Sequence, residues 1–174
     1  MTAVLRDIPV IATDRLVLRG PLESDFAAHA AFYTSPRSHL VGGPADRFQA
    51  WRIFLSGLGH WALRGYGMWM VTERDGGQPV GRVGFINGLD WDEPELGWHL
   101  YDGYEGKGYA YEAACAARDH GARHFGIAAP ISYIVPENAR SLALAERLGA
   151  SFERDGTVVG TPCQVWRHPR AGAA

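Results

Sequence analysis

The chain is poor in cysteine: only Cys115 and Cys163 occur in 174 residues. They lie far apart with no metal or redox spacing, and no secretory signal favours pairing them. No basic run is present and the net charge is −2. A nucleic-acid partner therefore has no electrostatic footprint here. No apolar stretch approaches membrane length, and the N-terminus has no basic segment followed by an apolar one. These absences lead us to expect a cytoplasmic protein with neither membrane nor nucleic acid as partner. Internal repeats and low-complexity tracts are missing too.

Two familiar phosphate motifs are also lacking. The glycines Gly103, Gly106 and Gly108 run in the reverse order of the dinucleotide fingerprint. Lys107 is followed by Gly108 rather than Ser or Thr, and no glycine stands five before Gly106, so the nucleotide P-loop does not fit.

What is present is a chain of ordinary composition, 47% hydrophobic and 21% charged, long enough for one domain with a sizeable core. We expect a single domain over residues 1–174, with 1–12 a loosely packed lead-in and 169–174 a mobile tail. Strands are expected at Arg15 to Arg19, Gly67 to Glu73, Val80 to Ile86, Glu95 to Tyr101 and Pro130 to Val135. Two more are expected at Phe152 to Arg154 and Thr161 to Trp166, with Asp155-Gly156 between them, and Asp75-Gly76-Gly77 is a hairpin turn signal before Val80. Helices are expected from Phe26 to Tyr33, after Glu23-Ser24-Asp25, and from Asp46 to Leu63. Two further helices are expected at Tyr109 to Phe125 and at Ala139 to Leu148, the latter ended by Gly149. Within the third, Ala110, Ala113, Ala114, Ala117 and Gly121 make one smooth face that can lie close to a sheet. The order gives an α+β fold: a mixed, mostly antiparallel sheet flanked by helices.

The stretch from Glu105 to Ala110, Glu-Gly-Lys-Gly-Tyr-Ala, joins a strand to a helix. Such a turn leaves unpaired N–H groups at the helix start, which together with the helix dipole suit a phosphate. Gly106 and Gly108 let a large anion approach the backbone. A loop that binds nothing is the alternative.

Four blocks of this sequence resemble the GCN5-related N-acetyltransferases, and within them the branch that acetylates ribosomal-protein N-termini. They are Thr13 to Arg19, Glu95 to Leu100, Glu105 to Ala113 and Asn138 to Gly149, in the family's order. The resemblance implies the family's acyl-CoA N-acyltransferase fold and acetyl-CoA as co-substrate, with no metal. It implies that backbone N–H groups of Gly106, Lys107, Gly108, Tyr109 and Ala110 hold the pyrophosphate. Backbone at Trp98 and Leu100 would pair with pantetheine, and Asn138 would contact the same arm. The acceptor would be a primary amine, on a small molecule or a protein N-terminus, and a homodimer is a further implication. Two positions depart from the family pattern. Glu105 stands where Gln or Arg is usual, placing a carboxylate near phosphate. Ala145 stands seven after Asn138, where many relatives carry the tyrosine that protonates the thiolate. Ser141 is the hydroxyl left to do so; it could equally bond backbone in the first turn of the helix. A catalytically degenerate CoA-binding regulator on the same fold is therefore the alternative function.

Acetyl transfer to an amine calls for a general base, a donor for the oxyanion and a proton for the leaving thiolate. Glu95, Gly97 and His99 alternate onto one strand face, with Glu95 the first candidate base and His99 the second. Each has a plain reading beside it: Glu95 as a solvated residue after Pro94, His99 as a packed histidine. Asp90, Asp92 and Glu93 form an acidic cluster that could draw in a cationic amine or simply be solvated. His120 and His124 have metal-ligand spacing on a helix but no third ligand, so no metal is expected. Of the six tryptophans, Trp51, Trp61, Trp69 and Trp91 could line an acceptor pocket or fill the core. Asn138 could equally cap the last helix.

Overall fold

The computed structural model describes residues 7–170. Eight strands form one sheet in the order β1-β2-β3-β4-β5-β6-β8-β7. They are β1 (Ile11–Ala12), β2 (Leu16–Arg19), β3 (Met68–Glu73), β4 (Pro79–Ile86), β5 (Glu95–Leu100), β6 (Ile131–Ile134), β7 (Ser151–Val158) and β8 (Thr161–Arg167). The helices are α1 (Phe26–Tyr33), α2 (Arg47–Arg64), α3 (Tyr109–His120) and α4 (Ala139–Arg147). Every neighbouring pair is antiparallel except β5 and β6, which run parallel and share a single register match, Glu95 opposite Ile131. This is the mixed, mostly antiparallel α+β sheet expected from the sequence.

The two faces of the sheet are built differently. One packs Leu16, Leu18, Trp69, Val71, Val83, Phe85 and Leu96 against α3. Ala113, Ala114 and Ala117 are the buried residues of that helix, so its axis can approach closely. The approach is tightest at Gly121, where an added Cβ would lie 2.3 Å from Cζ of the fully buried Phe85. The helical path widens there into one π turn, Gly121–Phe125, rather than continuing as the α-helix expected to Phe125. The other face carries Met70 and Tyr101 beneath α1 and α2, with Phe32, Tyr33, Ala50 and Phe54 completing a second cluster.

Caps explain the helix boundaries. Asp46 accepts the Gln49 N–H at 2.7 Å and starts α2, which stops at Gly65 in a left-handed conformation. Asp25, buried ahead of α1, is held by Arg19 through two bonds of 2.7 and 2.8 Å and accepts the Leu22 N–H.

Two expectations need correction. The lead-in is shorter than 1–12: Ile11 and Ala12 pair with β2, and the Trp69 indole donates to the Pro9 carbonyl at 2.8 Å. Residues 1–6, and 171–174 of the expected tail, lie outside the described residues. Asp155-Gly156 does not lie between two strands. Those residues sit within β7 opposite Gln164 and Cys163, and the hairpin turns at Val159-Gly160, both at positive φ. Gly156 is there because a Cβ would come within 2.9 Å of Val165, so the dipeptide reports a close cross-strand approach. Cys115 is half-buried, Cys163 is buried, and both are free thiols. Trp61 and Trp69 are core residues.

Replacing Gly121 with alanine forces the methyl against Phe85. Overpacking costs about 1–3 kcal/mol against roughly 1 kcal/mol gained in helix propensity. Thermal unfolding of Gly121→Ala should show Tm lowered by several degrees; an unchanged Tm would mean the α3–sheet spacing is looser than described.

Candidate active site

Beyond Glu95 and Ile131, β5 and β6 part, and a cleft of about 760 Å³ opens between them. The Tyr101 N–H bonds the Val80 carbonyl, and the antiparallel ladder alternates every residue. The polar groups of Glu95, Gly97 and His99 therefore pair with β4, while those of Trp98 and Leu100 turn toward the parted side. At the apex, Ser132 on β6 donates to the Leu96 carbonyl at 2.6 Å. Its single proton is then spent, so His168 Nε2, 2.9 Å away, is the N–H donor to Ser132. Burial holds His168 down to about 4, which keeps the ring neutral.

Glu95, Gly97 and His99 project to the α1–α2 side, where all three line the cleft. Gly97 lies opposite Gly84, and Glu95 opposite Ile86. Neither glycine carries a side chain, and of the two Gly97 lines the cleft between Glu95 and His99. Glu95 is not the solvated residue of the plainer reading. Burial raises its carboxyl to about 7, against a 2.6 Å hydrogen bond from the Trp91 indole that favours the charged form. Trp91 lines the cleft, and its bond to Glu95 is a role that its aromatic character alone does not suggest. Its spacing of four before Glu95, across a turn, was the available signal.

His99 is a packed histidine. Its ring stacks on Phe32 at 4.6 Å and 9°, and its Nε2 is buried without a partner. Burial, then the charge of Arg82, lowers its pKa well below the ordinary value. Arg82 itself, opposite His99 on β4, lines the cleft and was missed by sequence reasoning, because a single arginine in a strand looks like a surface residue.

On the far wall, Asn138 caps α4 by accepting the Ser141 N–H at 3.2 Å. Ser141 Oγ accepts the Trp98 indole N–H at 3.2 Å, so its own proton stays available. Both residues line the cleft. Ala145 does not: it is fully buried with Ile134 and Ala150. The cleft-lining Trp98 packs against that cluster, and the alanine offers no group that could protonate a thiolate.

The loop before α3 holds Gly103, Gly106 and Gly108 at φ of 84°, 75° and 80°. Space is open where a Cβ would stand on Gly103 and Gly106, and no side chain caps α3, whose first turn carries Tyr109 and Ala110. The Lys107 ammonium sits 5.1 Å over the Tyr104 ring, while its carbonyl accepts from Arg15 at 2.9 Å. The electrostatic objection to Glu105 is met by the fold. Glu105 is ion-paired with Arg37, accepts the Gly103 N–H at 3.1 Å, and has Arg140 3.8 Å away.

Within the acidic cluster Asp92 and Glu93 are engaged by arginines, while Asp90 is solvent-exposed and Asp92 stays 61% exposed in its ion pair. Asp92 bonds Arg154 at 2.7 Å, and Glu93 makes two bonds of 2.6 Å to Arg167. These arginines hold both carboxyls below their usual range. His120 and His124 lie 4.3 Å apart, and among the described residues no group of three or more potential ligands assembles. No helix of the described residues is long and apolar enough to cross a membrane.

Glu95 should titrate near pH 7, in contrast to about 4.5 in the unfolded chain. Between these values the unfolded state releases its proton first, so this group's stabilising contribution is full below about 4.5 and is lost by pH 7. Glu95→Gln should therefore gain in Tm over the parent as pH rises from 5 to about 7.5. A Tm difference independent of pH would contradict the buried carboxyl.

Residues 15–151 match the model of the acetyltransferase (GNAT) domain. The acetyltransferase from Agrobacterium tumefaciens is 36% identical, with 98% of this chain and 99% of that one aligned at a TM-score of 0.88. An acetyltransferase of Salmonella typhimurium that modifies the N-terminal serine of a 50S ribosomal subunit protein has a TM-score of 0.73 at 19% identity. It covers 92% of this chain and 97% of its own. An aminoglycoside acetyltransferase in complex with coenzyme A has 0.74 at 16%, over 89% and 95%. The last two show likeness of fold alone. With its domain match spanning most of its length, this chain belongs to the GNAT acetyltransferase family.

Proposed function

We propose that the cleft transfers an acetyl group from acetyl-CoA to a primary amine within a ternary complex. The observation that carries this reading is the carboxyl of Glu95, raised to about 7 at the apex of the parted strands. A group poised there accepts a proton near neutral pH and is a general base of the right strength. His99 is the weaker base, since burial and Arg82 oppose its protonation.

The donor would lie between β5 and α4. The N–H groups from Gly106 to Ala110 would hold its pyrophosphate at the open glycine turn. Trp98 and Leu100 would pair their outward backbone groups with pantetheine, beside the Asn138 amide. In the reaction the amine nitrogen attacks the thioester carbonyl carbon. Its proton passes to Glu95, directly or through one water. A β5 backbone N–H at Trp98 receives the oxyanion. The C–S bond then breaks, and the thiolate takes the proton of Ser141, whose oxygen is held by Trp98. Glu95 gives its proton to solvent, Ser141 is reprotonated from solvent, and an acetamide and CoA leave. Among the described residues the only cysteine lining the cleft, Cys163, is buried and has its thiol pKa raised by burial, a poor nucleophile for an acetyl-enzyme route. The acceptor is a small-molecule amine or a protein N-terminus. A cytoplasmic location fits a donor available there, and the homodimer implied by the resemblance belongs to this reading.

Acetyl-CoA at about 100-fold over its Kd should add roughly 2.7 kcal/mol, a rise of roughly 5–10 °C in Tm, where NAD and ATP give none. The absence of any shift at millimolar acetyl-CoA would end the reading. In steady-state assays kcat/KM should fall as pH drops through about 7 with the protonation of Glu95. Glu95→Gln should lower it by about 10²–10⁴. Ser141→Ala should reduce kcat with little change in the KM for acetyl-CoA; an unaltered kcat would assign the thiolate's proton to water.

A further inference from the structure

Arg82 is 4% exposed and lines the cleft. Its Nη2 donates to the Met68 carbonyl at 3.3 Å, and its Nε has no partner. Among the described residues no carboxylate is ion-paired with it; the buried Asp25, whose charge Tyr101 feels together with that of Arg82, is taken by Arg19 through two bonds. Burying a guanidinium without a counter-charge is costly, and such groups are normally paired.

The surroundings are made to hold this group. Gly57 of α2 gives it room: a Cβ there would lie 2.6 Å from Nη2. A glycine inside a helix costs roughly 1 kcal/mol relative to alanine, so the space is kept at a cost to α2. The neighbours His29, His99, Tyr33 and Tyr101 all feel the Arg82 charge, and burial keeps both histidines neutral. Arg82 is therefore the one permanent charge in this end of the cleft among those groups. It stands opposite His99, four residues along β5 from Glu95, or roughly 13 Å between backbone positions. Both ends, and Gly97 between them, line the same cleft.

We propose that Arg82 is the anion-binding subsite for the acceptor, which is an amine that also carries a carboxylate: the carboxylate pairs with Arg82 while the amine lies toward Glu95. This assignment rests on the acetyltransferase reading and narrows its substrate class. A carboxylate supplies the counter-charge that the fold withholds, and a guanidinium receives it in two parallel bonds. A polycationic acceptor would instead meet an uncompensated positive charge.

The test is acetyl transfer to paired acceptors: α-amino acids, β-alanine and γ-aminobutyrate, each against its primary amide. Amidated tripeptides with an acidic side chain separate a peptide carboxylate from that of a free amino acid. The parent is compared with Arg82→Met and Arg82→Lys. The expected result is a preference for carboxylate over amide of about 30-fold or more in kcat/KM, reduced to within about threefold in Arg82→Met and partly kept in Arg82→Lys. Arg82→Met should fold with Tm unchanged or raised, because it removes a buried unpaired charge. Calorimetric binding of the same acceptors to the protein–CoA complex gives a second readout independent of turnover. The proposal is overturned if the parent shows no carboxylate preference in either assay, if the preference survives in Arg82→Met, or if that variant loses Tm with the preference intact. Failure of the parent to bind acetyl-CoA at all would instead remove the underlying acetyltransferase reading.

Discussion

The parting of β5 from β6 is the constraint on which the rest of this molecule depends. Two parallel strands that paired along their length would leave no cleft. Here the ladder is stopped after Glu95 and Ile131 by a side chain: Ser132 takes the Leu96 carbonyl, and a neutral His168 holds Ser132 in place. Further along, the indole of Trp98 reaches across to Ser141. The gap is thus propped by specific polar contacts at both ends. Its cost is backbone at Trp98 and the Leu100 N–H without a strand partner, groups that must find water or a ligand, while the Leu100 carbonyl is reached only by Arg37 at 3.5 Å. A strand edge kept open in this way within a sheet is a binding feature, since leaving it unpaired only lowers stability.

The second constraint ties the glycine loop to the opposite wall. Arg37 lies in the 3-10 turn Pro36–Val41, whose residues His39, Leu40 and Val41 line the cleft. It grips Glu105 and, at 3.1 Å, Asp102. A carboxylate that looks out of place beside a phosphate loop is thereby turned into the post that joins the loop to the cleft wall. On the other side Arg15 joins the Lys107 carbonyl to Glu112, fixing the loop to the start of α3 and to β2. The loop's three left-handed glycines supply its shape, and these arginines hold that shape still.

The fold was largely legible because its signals are periodic and local. Alternation marks the strands, the Ala-rich stripe marks α3, and acidic or amide caps mark the starts of α2 and α4. Where reading failed, a tertiary contact had overridden a local signal. Asp155-Gly156 has turn chemistry, yet Gly156 is required by Val165 across the hairpin. Ala145 looked like a lost catalytic group, yet the position faces the core. The site was legible where chemistry and motif coincide, as at Glu95, Ser141, Asn138 and the glycine loop. It was illegible where a residue matters through its surroundings. Arg82 has no motif, and nothing in one sequence says that it is buried or that every nearby acid is already engaged. Asp92 and Glu93 fail in the opposite sense: they form a conspicuous cluster, but Arg154 and Arg167 come from a hairpin some sixty to seventy-five residues away.

The two faces of the sheet divide stability from chemistry. Toward α3 the packing is tight enough that one methyl group on Gly121 cannot be accommodated, and the residues are apolar throughout. Toward α1 and α2 the same strands give up good packing. Two opposed glycines forgo side-chain packing, a carboxyl is raised to about 7, an imidazole lacks a partner, and a guanidinium lacks a counter-charge. Each of these lowers the stability of the empty protein. The α3 face can carry that burden because its buried apolar surface does not depend on the cleft. The unsatisfied groups thus lie on one side of β4 and β5, along one cleft, with a base at one end and a cation at the other. Scattered defects of packing would not line up in this way, whereas groups awaiting a single amine-bearing ligand would.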